Sequence, residues 1–388
     1  MYHLRRLSAL VLSLAIAPLL FLPTPAAAAN EDSMPLVLSP ASALLMEKET
    51  GTVLLQQNAH QKLEPASVTK IMTLLLVMEA VDSGRLSLDE LVPVSAHAAG
   101  MGGSQVYLKE GEQLSVSDLI KCVAVVSGND CAVALAERLA GSESAFVDQM
   151  NQKAQSLGMA DTHFVNCTGL PAPGHLTSAW DIALMSRELI LRHPDIQQYT
   201  TIWTDSIRNG AFGLTNTNRL VRFYDGATGL KTGFTASAQY CMSATAQRNG
   251  MELIAVVMKA PTTAQRFQDA SSLLDYGFAN YALITPQPES PLAPVDVLLG
   301  RSKTVQPQLQ RECHLLVEKT QADQVTTRVD LAQDVQAPVD PGQTLGEFQV
   351  YVGNELRDSV PIVAAQGVDR LSVPGLFSQL LRRLLFAG

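Results

Sequence analysis

Strand patterns at both ends of one long stretch, with helical patterns filling the middle, constrain this chain more than any other feature. Residues 43–55 read as a strand, a turn at Glu49-Thr50-Gly51 and a second strand, which makes a hairpin. Far downstream, 229–235, 240–246 and 253–258 read as three more strands, and Asn249-Gly250 between the last two is a strong hairpin signal. Between these ends, Pro65 sits where a first helical turn tolerates proline. Ser67, Ile71, Leu74, Leu75 and Met78 then recur at helical spacing until Asp82-Ser83-Gly84 stops them. The spacing predicts a helix with one strongly apolar face. Residues 119–126 and 132–139 predict two more helices, broken by Ser127-Gly128-Asn129-Asp130 and ended by Gly141. Ser142 opens a helix to 150, and Ser178-Ala179-Trp180-Asp181 resembles a capping box for a helix to 191. The expectation is an α/β fold: a mixed sheet, built from the N-terminal hairpin and the three later strands, with helices on both sides.

A chain of 388 residues favours two domains. Pro286, Pro288, Pro291 and Pro294 form a semi-rigid spacer and a natural boundary. Beyond it, 295–299 and 314–318 are strand-like, and Phe348, Val350 and Val352 alternate before Gly353-Asn354, which predicts a small β domain. Residues 1–29 have the layout of a secretory signal peptide: Arg5 and Arg6, an apolar run over 9–22, and small residues at 26–29 with an A-x-A cleavage site. That run falls short of the ~20 residues a membrane span needs, so export is expected. At the other end Phe377, Leu380, Leu381, Leu384 and Leu385 share one helical face, with Ser378, Gln379, Arg382 and Arg383 on the other. At ~1.5 Å per residue this segment cannot cross a ~30 Å hydrocarbon core, so it is expected to lie in the membrane surface.

Lys and Arg number 28 against 37 Asp and Glu, a formal net charge of −9, and removal of the leader takes two arginines with it. No cationic footprint for nucleic acid is left. The five cysteines, Cys122, Cys131, Cys167, Cys241 and Cys313, are too few to staple a chain this long and read as buried apolar thiols. Without a C-x-x-C or H-E-x-x-H, neither a metal nor a cofactor is expected.

Ser67 and Lys70 stand three apart and so share one helix face, continuous with the apolar stripe. A lysine directed at a buried stripe is desolvated, which favours the neutral amine and lowers its pKa. A neutral amine beside a serine hydroxyl is a general base beside a nucleophile, and a helix N-terminus adds a favourable field for a developing oxyanion. Alone, S-x-x-K is a common surface-helix tetrapeptide. Its meaning changes because Ser127-Gly128-Asn129 follows at a helix break and Lys231-Thr232-Gly233 on a predicted strand, the ordered set of the penicillin-interacting serine acyltransferases.

On these residues, P-A-S-V-T-K, V-S-G-N-D and G-L-K-T-G-F-T, together with the leader, the β-rich C-terminal region and the terminal amphipathic helix, the chain resembles the low-molecular-weight penicillin-binding proteins, specifically the serine D-alanyl-D-alanine carboxypeptidases. The resemblance implies a β-lactamase/transpeptidase-like fold and five segments: signal peptide 1–29, catalytic domain 30–283, linker 284–294, β domain 295–365 and membrane-surface helix 366–388. It implies that Ser67 attacks the peptide bond between two D-alanines of a peptidoglycan stem and that Lys70 takes its proton. Ser127 would relay that proton to the departing D-alanine, and Asn129 would either bond the substrate amide or orient Lys70. The backbone N–H groups of Ser67 and Phe234 would form the oxyanion hole. Lys231 and Thr232 suit the free carboxylate of the leaving group, with Thr235 assisting. Gly233 would let substrate lie against the strand edge. β-Lactam antibiotics would act as covalent inhibitors, at the outer face of the cytoplasmic membrane.

A D,D-endopeptidase, a β-lactamase of the same fold or an inactive wall-binding homologue are the alternatives. Against the β-lactamase stand Gly128, where those enzymes usually carry aspartate, and Thr162, four before Asn166, where they carry the glutamate that activates the deacylating water. His163 and His175 read as structural, because Lys70 already fills the base role.

Overall fold

The computed structural model describes residues 36–375 together with Phe377 and Leu385. The leader expected over 1–29 lies outside these residues, as does most of the amphipathic stretch after 375. Among the described residues no helix is long and apolar enough to cross a membrane.

The N-terminal hairpin and three strands from beyond the helical stretch meet in one five-stranded sheet. Strands β1 (Ser42–Glu47) and β2 (Val53–Gln57) form the predicted hairpin. The chain returns as β3 (Ala227–Thr235), β4 (Gln239–Arg248) and β5 (Met251–Ala260), in the order β2-β1-β5-β4-β3 with every pairing antiparallel. Asn249 and Gly250 have φ of 50° and 80°, the positive pair that a two-residue hairpin turn requires. The central strands are apolar on both faces because both are covered. Ala43 and Leu45 join Leu253, Ala255 and Val257 in a core beneath helix α6 (Thr263–Asn280), while Leu44 and Met46 join Ile254, Val256 and Met258 in the larger core on the opposite side.

That larger core is built around α1 (Lys70–Asp82), which is buried nearly all round, from Lys70 through Met78 and again at Ala80. Here the structure differs from the single apolar stripe expected from the spacing. Met72, Leu76 and Val77, off the stripe, are also buried, since α1 runs through the middle of the helical layer. Nor is 65–82 one helix: Ala66–Thr69 is a 3-10 turn, and α-helix begins at Lys70. Around it pack α2 (Val116–Val125), α3 (Asn129–Ala140), α4 (Glu143–Ser156) and α5 (Ala179–Arg192). Ser115, Ser142 and Ser178 cap three of them by accepting from Asp118 N, Ala145 N and Asp181 N at 3.1–3.2 Å. Gly141 closes α3 with φ 81°.

After α6 the strand Tyr281–Ile284 pairs with Leu315–Glu318 of the C-terminal region, so the prolines at 286–294 link two parts already joined by a sheet. The C-terminal β structure has two small cores, one around Val295, Val297 and Leu345 and one around Phe348, Val350, Val360 and Ile362.

Candidate active site

The nucleophile candidate sits on a turn that glycines let the rest of the fold approach. Ala66 has φ 48°, unusual for a residue with a side chain. A Cβ at Gly169, whose φ is 81°, would lie 1.9 Å from Ala66 O; one at Gly233 would lie 2.8 Å from Pro65 O and 3.0 Å from Ser67 N. The turn carrying Ser67 is therefore clamped between the 166–170 loop and the edge strand β3. The expectation was that Gly233 keeps the strand edge open for substrate. Instead, the space left by its missing side chain is filled by the Ser67 turn, which brings the Ser67 amide beside the strand that carries Phe234.

Lys70 is fully buried. Its Nζ lies 2.6 Å from Asn129 Oδ1, 2.6 Å from the Thr168 carbonyl and 3.1 Å from Ser67 Oγ. The first two partners can only accept. A neutral amine has two N–H donors and one lone pair, so the two acceptors consume the donors and the lone pair faces the Ser67 hydroxyl. Burial supplies the charge state that this geometry needs, pushing the Lys70 pKa down to about 7 against the opposing pull of Cys167 and Asp130.

Asn129 Oδ1 accepts from Lys70 Nζ, and its Nδ2 donates to Gly102 O at 2.7 Å. Ser127 lies at the helix break with φ 63°, its Oγ buried without a hydrogen-bond partner. None of the three Lys70 contacts goes to it. Lys231 is buried, and its Nζ donates to Thr232 O at 2.9 Å. Burial first, then the Lys70 charge whenever that amine is protonated and the Arg266 guanidinium, hold its pKa well below the ordinary lysine value. Thr232 Oγ1 donates to Thr217 Oγ1 at 2.7 Å, and Thr217 N donates to Val125 O at 3.0 Å, which ties β3 to the end of α2 beside Ser127. Thr235 Oγ1 accepts from Ala238 N at 2.9 Å, closing the turn after β3. Phe234 is 56% exposed and packs on Tyr240.

Several supporting groups escaped the sequence reading. Asn166 Oδ1 accepts from Gly169 N at 2.7 Å and Thr168 N at 3.2 Å, folding the loop that aims the Thr168 carbonyl at Lys70. The signal for this was an asparagine followed three residues later by a glycine, an Asx-turn pattern. Asp130 accepts from Val106 N and Leu108 N at 3.0 and 3.1 Å, fixing the segment that lines the Ser127 break. Arg266 Nη1 reaches Gly233 O at 3.2 Å from behind β3. His175 is structural, as expected: Nε2 lies 2.8 Å from Thr69 Oγ1, Nδ1 accepts from Val165 N, and burial lowers its pKa to about 4. Thr162 donates to the Asp181 carboxylate at 2.7 Å.

A model of the D-alanyl-D-alanine carboxypeptidase family matches residues 28–262. The chain belongs to that family. As a D-alanyl-D-alanine carboxypeptidase it is a serine-type hydrolase with a cell-wall function, as the three motifs led one to expect. A second family model, that of the penicillin-binding protein 5 C-terminal domain, matches residues 287–370. The D-alanyl-D-alanine carboxypeptidase DacF of Bacillus subtilis is 37% identical over 369 residues, which cover 93% of this chain and 95% of that one. Among solved structures, penicillin-binding protein 5 from Haemophilus influenzae superimposes with a TM-score of 0.74 at 29% identity, covering 87% of this chain and all of its own. Penicillin-binding protein D2 from Listeria monocytogenes, in its ampicillin-bound form, matches with a TM-score of 0.58 at 37% identity over 63% of this chain and 99% of its own.

Proposed function

We propose that this carboxypeptidase removes the terminal D-alanine from peptidoglycan stem pentapeptides through an acyl-enzyme on Ser67. The observation that carries the reading is the buried Lys70 amine, 2.6 Å from each of two pure acceptors and 3.1 Å from Ser67 Oγ, a placement that turns the lone pair of the neutral amine to the Ser67 hydroxyl. Lys70 takes the Ser67 proton as Oγ attacks the carbonyl of the penultimate D-alanine. The Ser67 and Phe234 amides receive the oxyanion. Ser127, whose unpaired buried hydroxyl gains a partner when the substrate nitrogen arrives, passes the proton to that nitrogen as the C–N bond breaks. Water then releases the shortened stem.

Lys231, Thr232 and Thr235 hold the substrate carboxylate. An incoming carboxylate reverses the depression of the Lys231 pKa and fixes it as ammonium. β-Lactams acylate Ser67 by the same steps, and with threonine at 162 the adduct lacks the glutamate that would activate a deacylating water.

The test offers pure protein a stem pentapeptide and a cross-linked stem dimer. D-Alanine is released from the pentapeptide, while the dimer stays intact; cleavage of the dimer in preference makes the enzyme an endopeptidase.

We further propose the division into leader 1–29, catalytic domain 30–283, linker 284–294, β domain 295–365 and C-terminal segment 366–388; the expected helix does not start at 366, because Val368 and Arg370 still bridge to Val339 and Gly300 of the β region, and the exported enzyme is held at the outer face of the cytoplasmic membrane by the amphipathic stretch that follows. The mature protein then sediments with membranes, and removing 366–388 releases it in active form; sedimentation of the truncated protein places the anchor elsewhere.

A further inference from the structure

One carboxylate outside the three motifs touches both of the loops that hold Lys70. Glu143 stands in the first turn of α4, its side chain 18% exposed. Its Oε1 accepts from Cys167 N at 3.1 Å and from Cys167 Sγ at 3.3 Å, and its Oε2 lies 2.9 Å from His97 Nε2. An ionised carboxylate only accepts, so His97 Nε2 carries the hydrogen between them. Residues 97, 143 and 167 belong to three separate segments of the chain, and they meet at this side chain.

Each end of the link is one step from the base. Cys167 precedes Thr168, whose carbonyl takes one Lys70 hydrogen at 2.6 Å. Cys167 is fully buried, and its own carbonyl accepts at 2.7 Å from Thr73 Oγ1, one turn beyond Lys70 on α1. The residue is therefore pinned at its oxygen by the helix that carries Lys70 and at its nitrogen by Glu143. His97 belongs to a short helix, Ala96–Ala99, whose cap Ser95 Oγ accepts from Ala98 N at 2.9 Å. Just beyond that helix, Gly102 O and Ser104 O accept from the side-chain and backbone amides of Asn129, each at 2.7 Å. A Cβ at Gly103 would come within 2.8 Å of Asn129 Nδ2, so this loop lies directly on the residue whose Oδ1 takes the other Lys70 hydrogen.

We infer that Glu143 is a positioning residue for the reaction: it ties the 96–104 loop to the 166–170 loop and so keeps Asn129 Oδ1 and Thr168 O at the separation that leaves the Lys70 lone pair on Ser67. None of its three contacts goes to Ser67 or Lys70, so it acts through the loops alone. Its two oxygens divide the task. One satisfies a buried backbone amide, which needs a partner, and the other holds a side chain of the far loop.

Losing this link costs less than losing the base. Thr73 still holds Cys167, Asn166 Oδ1 still folds the 166–170 loop, and Gly102 still holds Asn129. What goes is the fixed spacing of the two acceptors, and a shift on the order of 1 Å in a reacting group costs up to about a hundredfold.

The inference rests on Lys70 as the base of the proposed carboxypeptidase. Its test is acylation by a fluorescent penicillin, with the reversible complex and the acylation step resolved as separate constants. Glu143→Ala is expected to acylate about tenfold more slowly, with the reversible constant unchanged because Lys231 and Thr232 are untouched. Glu143→Gln restores the rate to within about twofold, since its carbonyl oxygen still accepts from Cys167 N and its amide meets the other tautomer of His97. A role confined to the charge at the start of α4 predicts the reverse, with glutamine no better than alanine. In the Glu143→Ala background, His97→Ala slows acylation no further, because both changes break one link. Should Glu143→Ala not fold, His97→Ala alone carries the test: at a side chain 54% exposed, it slows the same step about threefold and leaves the reversible constant unchanged. An unchanged acylation step in the alanine variant measured, a loss confined to the reversible complex, or no rescue by glutamine overturns the inference and leaves Lys70 as the base. A wild type that forms no adduct overturns the carboxypeptidase reading itself.

Discussion

Replacing Lys70 with methionine is expected to slow acylation by a fluorescent penicillin about a thousandfold, a loss of roughly 4 kcal/mol in transition-state stabilisation. Methionine keeps the volume and suits the buried surroundings, so the fold survives, although Asn129 Oδ1 and the Thr168 carbonyl each lose a donor. The wild-type rate should depend on pH in one direction. The working form of Lys70 is the deprotonated one, so acylation rises as pH climbs through about 7 and drops about tenfold for each unit below it. The methionine variant has no such ascending limb in its residual rate. A stopped-flow acylation series from pH 5 to 9 on both proteins reads the two effects together. An unchanged rate in the variant removes Lys70 from the base role.

Ser67→Ala should remove the reaction altogether. Intact mass of the wild type after exposure to penicillin increases by one adduct, which persists because Thr162, hydrogen bonded to Asp181, supplies no base for its hydrolysis. The alanine variant gains no mass and releases no D-alanine. It still binds the antibiotic reversibly, since Lys231, Thr232 and the β3 edge are intact, and a thermal shift with added penicillin detects this. An adduct on the alanine variant assigns the nucleophile to another residue.

How much of this was legible beforehand differs by residue. The sheet joining the N-terminal hairpin to the three later strands, the capping serines Ser142 and Ser178, the helix break at Ser127 and Asn129 and the strand that carries Lys231 follow from periodicity, turn chemistry and ordered motifs. The Thr168 carbonyl that takes one of the two Lys70 protons was not legible, because a backbone oxygen carries no side-chain signature, and only the fold of the Asn166 loop aims it. The roles of Gly169 and Gly233 depend on what stands opposite, here the Ser67 turn, so a glycine alone could not distinguish a path for substrate from a close approach of backbone. The stripe on α1 was read from period alone. Its other faces are buried too, because the surrounding helices come from segments distant in sequence. In the C-terminal region the strands Val325–Leu331 and Glu355–Ala364 escaped the reading. The first is exposed along most of its length and the second over its opening residues, leaving little apolar alternation to detect.

All of the chemistry turns on the resting charge of one buried amine. Its most direct test is an NMR titration of protein carrying 13C at the lysine ε-carbons, with the Lys70 resonance assigned by its absence from Lys70→Met. The account predicts that this carbon titrates with a pKa of about 7, well separated from the solvent-exposed lysines. A Lys70 signal that stays in the ammonium form up to pH 10 would contradict it.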